Sequence, residues 1–194
     1  GEDVSTQPNQ THILISGVTA LARGTRDALN EFGVAYATSG IKDLTRSVDF
    51  FHISNETAFD SLCPSANQPV LGALCSQPDH FADLCDLIGV DIIELTGNHN
   101  NDWGYDANAN TIAWIHDNGY LTVGGGQTAS EAKRPLELIH QDNQIAMLAC
   151  NWTGPDYAYA TDENPGAAKC DEEWLRPAIE QLRKTADVVI VTIQ

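Results

Sequence analysis

Two rhythms of apolar and polar residues keep exchanging places along this chain. Short runs rich in β-branched residues, the pattern of buried strands, give way to stretches with apolar residues three and four apart, the pattern of amphipathic helices. The first strand is His12 to Ser16 and the first helix Arg23 to Phe32, ending near Gly33. Ile41 to Val48 reads as a short helix leading into strand Phe50 to Ser54, and a loop then runs from Asn55 to Leu74. Ser76 is an N-cap candidate for a helix from Gln77 to Ile88, with Asp79 in its first turn and Gly89 as its stop. Strand Asp91 to Leu95 follows, then a helix from about Asp106 to Asp117 and a short strand Leu121 to Val123. Leu136 to His140 and Ile145 to Cys150 flank a polar four-residue turn, the mark of a hairpin. Glu172 to Thr185 predicts a helix, and Val188 to Gln194 a core strand.

This alternation predicts an α/β layered fold with helices packed on the faces of the sheets. In such folds ligands gather at the carboxyl ends of the strands, so the loops after Ile15, Ile53, Leu95 and Ala149 should lie close together. Residues 1–11 are polar and read as a flexible N-terminal segment, with 12–194 as one domain. The strand ending at Gln194 stops where its functional loop would begin, which predicts the N-terminal portion of a longer protein.

Charge narrows the function. The chain carries 27 acidic and 10 basic residues, a formal charge of -17. Phosphate binding needs clustered Lys and Arg, so a nucleic-acid partner is disfavoured, and an anionic membrane surface likewise. The field attracts divalent cations and slows a polyanionic substrate, although plain solubility or adaptation to salt accounts for it more simply. No apolar run is long enough to span a bilayer.

Five cysteines fall at 63, 75, 85, 150 and 170. Cys63 and Cys75 flank one long polar loop, and Cys150 and Cys170 another, in neither case with zinc-finger spacing. Each pair would staple its loop, which implies an oxidising compartment; five reduced thiols in a cytosolic protein are the alternative. Cys85 shares helical spacing with apolar neighbours and reads as a buried thiol.

The richest stretch for chemistry is Glu94-Leu95-Thr96-Gly97-Asn98-His99-Asn100-Asn101-Asp102-Trp103-Gly104, which follows a core strand. Asn98 can ligate a metal through its amide oxygen, and His99 can ligate or act as an acid. Asp102 can ligate, or fix the tautomer of His99. At the end of the preceding strand, Ser54-Asn55-Glu56-Thr57 supplies a carboxylate, so Glu56, Asn98 and Asp102 make a mixed set for a divalent ion. An Asx-rich turn without function is the competing explanation. Gly124-Gly125-Gly126 can cradle an anion, but a tight connection accounts for it more simply. His12, His80, His116 and His140 read as surface or packed histidines, and Trp103 and Trp152 adjoin the candidate loops.

Glu94 to His99, Trp103-Gly104, and Gly124 to Gly126 with Glu131-Ala132 and Pro135 together resemble the bacterial capsule synthesis CapA family. That family is associated with poly-γ-glutamate capsule and is similar to calcineurin-like metallophosphoesterases. The resemblance implies a layered sandwich of helices on mixed β-sheets, incomplete at the C-terminus. It implies a site using a divalent metal (Mn, Zn, Fe or Mg), capsule or polyanion assembly proteins as partners, and an extracellular or cell-surface location. Glu56 resembles the glutamate of the family's Asn-Leu-Glu motif, Asn98 its metal-bridging asparagine, and His99 the histidine that stabilises or protonates the leaving group. Departures are equally specific. Val18 stands where the family has a metal-binding aspartate, Ser54 where it has an asparagine, and a His-x-Gly-x-Glu-type segment would begin just past Gln194. The resemblance therefore implies a partly degenerate phosphoesterase site, inactive in this chain alone. A non-catalytic extracellular binding module on the same fold is the alternative, and an α/β extracellular enzyme unrelated to metals a third reading.

Overall fold

The computed structural model describes residues 9–63 and 73–194. Residues 1–8, most of the expected flexible segment, and 64–72, inside the loop predicted from Asn55 to Leu74, lie outside the described residues.

Two sheets form the centre. Strands β1 (Ile13–Thr19), β2 (Phe50–Asn55), β3 (Ile92–Glu94) and β4 (Leu121–Val123) lie side by side in that order, all parallel. After the two-residue β5 (Gly125–Gly126), strands β6 (Leu136–His140) and β7 (Asn143–Cys150) form the expected antiparallel hairpin, turning through Gln141 and Asp142, both at positive φ. The two-residue β8 (Gly166–Ala167) pairs with β5, and β9 (Val188–Ile193) lies parallel to β7. The second sheet is therefore mixed, in the order β6-β7-β9, while the first is purely parallel.

Period-two alternation sorts side chains into layers. Ile13, Phe50, Ile92, Leu121 and Val123 from the first sheet meet Leu136, Leu138, Ile145, Met147, Ala149 and Ile190 from the second, joining the sheets face to face. The alternate residues Leu14, Phe51, Ile53 and Ile93 point the other way. Helices α1 (Arg23–Phe32), α2 (Val34–Thr38), α4 (Pro78–Ile88) and α5 (Tyr105–Asp117) cover that face with Leu29, Val34, Phe81, Leu84, Ile88, Ile112 and Ile115. Truncating any one of these side chains to alanine would cost about 2–5 kcal/mol. Helix α3 (Lys42–Thr45) is a single turn before β2, and α6 (Ala129–Ala132) a single turn after β5. Helix α7 (Glu172–Leu182) covers the outer face of the second sheet, packing on Ala146, Leu148, Val189 and Val191. The result is helix, sheet, sheet, helix: a layered α/β sandwich.

Several boundaries differ from expectation for local reasons. Ser76 does not cap α4; its hydroxyl bonds Thr57 Oγ1 at 2.7 Å, so Gln77 takes the cap position ahead of Pro78 at the first turn. Gly89 does end α4, in the left-handed conformation, donating its N–H to Cys85 O. The helix expected over Ile41–Val48 forms only the turn of α3, and α2 lies in a stretch with no expected helix. Helix α7 ends at Leu182; its first turn is fixed by Asp171, whose carboxylate accepts from Glu173 N–H at 2.8 Å, a cap worth about 1 kcal/mol.

Both disulfides form as the loops predicted, Cys63–Cys75 and Cys150–Cys170, and Cys85 is a buried free thiol. Burial pushes the Cys85 thiol up to about 12, so it is inert at neutral pH. Among the described residues no helix is long and apolar enough to cross a membrane.

Candidate functional site

The strand ends converge as the parallel topology requires. Glu56 N–H bonds Thr19 O at 3.0 Å, tying the end of β2 to the end of β1. Thr57 and His99 form a bridge between the loops after β2 and β3, and Asn151, just past β7, donates its side-chain amide to Thr96 O at 2.7 Å. Gly97 is what lets the β2 and β3 loops touch. A Cβ there would stand 2.5 Å from Glu56 O and 2.6 Å from Asn55 O, so no other residue fits without moving backbone.

Glu56 and Asn98 are brought together by a residue that sequence reading did not single out. The Gln194 side-chain NH₂ donates to Glu56 Oε2 and, at 3.3 Å, to Asn98 Oδ1. Two oxygens from different loops thus aim at one nitrogen. Burial pushes the Glu56 carboxyl up, opposed by the Gln194 hydrogen bond and the nearby His99.

His99 and Asp102 form a pair of their own. His99 Nδ1 and Asp102 Oδ2 are 2.6 Å apart. Asp102 Oδ2 also accepts from Leu74 N–H at 2.8 Å, and Oδ1 accepts from the Tyr157 hydroxyl at 3.0 Å. Both of its oxygens are therefore engaged in orienting neighbours, the second of the two roles open to it. Nε2 of His99 has no hydrogen-bond partner among the described residues, and the side chain is 29% exposed, facing solvent at the strand ends. Burial first, and then Asp102, push the Tyr157 hydroxyl up.

Beneath this rim lies a buried polar cluster between the two sheets. His52 Nε2 and Glu94 Oε2 are 3.1 Å apart, and Thr192 Oγ1 donates to the same oxygen at 2.6 Å. Thr96 Oγ1 donates to Glu94 Oε1 and lies 3.1 Å from Gln194 Oε1, with Ser54 nearby. Burial opposes the charge of Glu94, but hydrogen bonds from His52, Thr192 and Thr96 outweigh it and hold the carboxyl below its usual range. The cluster joins β2, β3 and β9, and through Gln194 it reaches Glu56 and Asn98.

The other candidates fall elsewhere. Val18 is an exposed residue in the last part of β1 and offers no donor atom. Gly125 and Gly126 pair with Ala167 and Gly166, and a Cβ on Gly124 would meet Ala149 and Thr96 at 2.5 Å, so close packing accounts for the triple glycine. His140 accepts or donates to Thr11, His116 to Thr122, and His12 sits against Asp49. Trp152 is exposed, and its backbone N–H bonds Gln194 O at 2.7 Å, which places it at the rim. Among the described residues no three His, Cys, Asp or Glu side chains cluster closely enough to hold a metal. Asn98 and Gln194 are what extend the oxygen set beyond Glu56.

A four-layer sandwich with a Gly-Asn-His turn at the carboxyl edge of its parallel sheet is a metallophosphoesterase-like architecture. The chain belongs to the family described as bacterial capsule synthesis protein PGA_cap, whose model matches residues 12–194. Two relatives in Sinorhizobium fredii (strain NBRC 101917 / NGR234), the uncharacterized proteins y4sH and y4uA, are each 26% identical over 106 residues. Each match spans 53% of this chain and 21% of the relative.

Proposed function

We propose that this chain is part of an extracellular or surface-held capsule-synthesis protein, and that its strand-end corner is a one-cation remnant of a phosphoesterase-type site. The observation that carries this reading is the His99–Asp102 pair. Asp102, buried and fixed by Leu74 and Tyr157, holds Nδ1 and leaves Nε2 directed at solvent beside Glu56 and Asn98. An imidazole so held donates a proton from Nε2 to the leaving oxygen of an ester, and Asp102 stabilises the charged ring.

Among the described residues, the side chains fit one divalent ion (Mn, Zn, Fe or Mg) and not two. Glu56 Oε2 and Asn98 Oδ1 converge on one point, now met by the Gln194 NH₂, whereas the end of β1 offers the apolar Val18. An ion on Glu56 and Asn98 would supply Lewis-acid polarisation of a phosphoryl oxygen. The two disulfides support the location outside the reducing cytosol. Partners among capsule or polyanion assembly proteins follow from the family, while the charge of -17 argues against this chain gripping poly-γ-glutamate by itself.

The second reading, a non-catalytic binding module, is favoured by Val18 alone. Titration with Mn²⁺ or Zn²⁺, following melting temperature and hydrolysis of a nitrophenyl phosphodiester, separates the two. Metal-dependent stabilisation together with hydrolysis that His99→Ala abolishes supports the enzyme. Stabilisation without hydrolysis supports the module. No melting shift at millimolar metal sinks the cation site.

A further inference from the structure

Asp102 is held from two sides by two loops, and each of those loops is closed by a disulfide. Its Oδ2 accepts from Leu74 N–H at 2.8 Å, next in the chain to Cys75, which is bonded to Cys63. Its Oδ1 accepts from the Tyr157 hydroxyl at 3.0 Å, inside the loop between Cys150 and Cys170. The two loops do not depend equally on their cross-links.

The second loop keeps its place by hydrogen bonds alone. Asn151 N–H bonds Ala168 O at 2.8 Å, Cys170 N–H bonds Asn151 O at 2.9 Å, and Ala160 N–H bonds Ala167 O at 2.9 Å. Gly166 and Ala167 pair with β5, and Asn101 Nδ2 donates to Tyr157 O at 2.7 Å and Pro165 O at 2.9 Å. The first loop is tied only as far as Ser76, which donates its N–H to Ala58 O at 3.0 Å and accepts from Asp60 N–H at 3.1 Å. Next comes Cys75, whose backbone has no hydrogen-bond partner among the described residues, and then Leu74. Cys63 is itself fixed, by its N–H on Asp60 O at 3.1 Å and by the Gln77 amide on its carbonyl at 2.9 Å. The Cys63–Cys75 disulfide is thus the tie that carries fixed geometry on to Leu74.

Leu74 N–H and His99 Nδ1 meet the same oxygen, Asp102 Oδ2, at 2.8 and 2.6 Å. An ionised carboxylate only accepts, so Nδ1 carries a proton toward it and the ring's other nitrogen is left for solvent. The Leu74 N–H keeps that carboxylate from turning about its last bond. We propose that the Cys63–Cys75 disulfide positions His99 through Leu74 N–H and Asp102, whereas Cys150–Cys170 only stabilises the fold. This rests on the phosphoesterase reading of His99 above and adds the covalent tie on which its orientation depends. The disulfide and Leu74 touch no reacting atom; they are positioning elements. His99 is therefore set in place only where that disulfide forms, in an oxidising compartment.

Nitrogen NMR of His99 in the whole chain, at fixed pH and in chelator, reads its tautomer, and hydrolysis of a nitrophenyl phosphodiester with Mn²⁺ reads the consequence. Cys63→Ser with Cys75→Ser should move the His99 signals from the Nδ1–H form toward a mixture and lower kcat several-fold at unchanged KM. Leu74→Pro removes the donor and keeps both disulfides; it should do the same, and combining the changes should add little. Cys150→Ala with Cys170→Ala should lower the melting temperature and leave the His99 signals in place. Unchanged His99 signals in the Cys63 and Cys75 variant overturn the proposal. An equal shift on loss of Cys150–Cys170 also overturns it, because the effect is then general loosening. A shift confined to the Cys63, Cys75 and Leu74 variants, in a protein without turnover, supports the positioning role and sinks only the hydrolytic reading.

Discussion

His52–Glu94 and His99–Asp102 are both imidazole–carboxylate pairs, placed in two settings. The first lies between the sheets with both partners shut away from water, the side chains 1% and 4% exposed. Glu94 there collects bonds from β2, from β9 and from the loop after its own strand, and His52 Nδ1 has no partner among the described residues. The second has an equally buried carboxylate, but its imidazole opens to solvent on one side. A sealed pair has no path for a proton to a ligand, so its energy goes into holding strands together. A half-open pair can pass its proton outward. Burial of the imidazole, not the presence of the pair, separates the scaffold from the candidate site.

The largest effect should come from breaking the sealed pair. Glu94→Ala leaves His52, Thr96 and Thr192 without their acceptor and should cost about 3–5 kcal/mol. In a chain this size each kcal/mol moves the melting temperature by about 2–4 °C, so calorimetry should show a fall of roughly 6–20 °C. A shift of only a degree or two would erase the distinction drawn here. On the phosphoesterase reading proposed above, Asp102→Asn should act in the opposite way, lowering turnover of a phosphodiester by about 10–100-fold with a much smaller change in melting.

The pH dependence of stability sharpens the contrast. The Glu94 carboxyl is held below its usual range, so its contribution is fully present above the unfolded value near 4.5 and is lost as pH falls through the lower folded value. Glu56 has the reverse sign: its carboxyl is raised, so what it contributes is present below 4.5 and fades as pH rises through the folded value. Glu94→Gln should therefore flatten acid unfolding, and Glu56→Gln should leave that limb in place. Denaturant melts between pH 3 and 6 would read both. The smallest effect is expected from Tyr157→Phe, which removes one of the bonds to Asp102 and should lower turnover only a few-fold, leaving stability within about 0.5 kcal/mol.

The layers were legible because apolar strand runs alternate with amphipathic helices along the chain, the pattern of sheets covered by helices. Phe51 and Ile53 go to the helices and Phe50 to the facing sheet, as period two demands. The loop staples were legible because disulfides close long polar loops, and the Gly-Asn-His turn because it follows a core strand. Missed were the residues that make the site cohere. Thr192 was read as an ordinary strand position, and His52, Ser54 and Glu94, which stand in or beside the candidate stretches, were given no partners, although a polar side chain on the inward face of a core strand must find one. Gln194 was passed over as the end of a strand, when by the strand-end rule it belongs with Glu56 and Asn98. Which of two faces a polar strand residue takes depends on sheet pairing, and pairing between β7 and β9 is invisible without the fold. Helix α2 was missed for a plainer reason: five residues are too few to show a period.

The polar cluster also fixes how β9 lies. Ile190, Thr192 and Gln194 alternate onto the inner side of their sheet, while Val189 and Val191 face α7. Hydrophobic packing alone discriminates poorly among the run Val188 to Ile193, since valine and isoleucine occupy both faces and a slide by one position would still bury aliphatic groups. Such a slide would bring Val191 and Ile193 against Glu94 and take Thr192 away from it. The charged group beneath the rim therefore acts as a registration pin, allowing an otherwise ambiguous strand only one alignment.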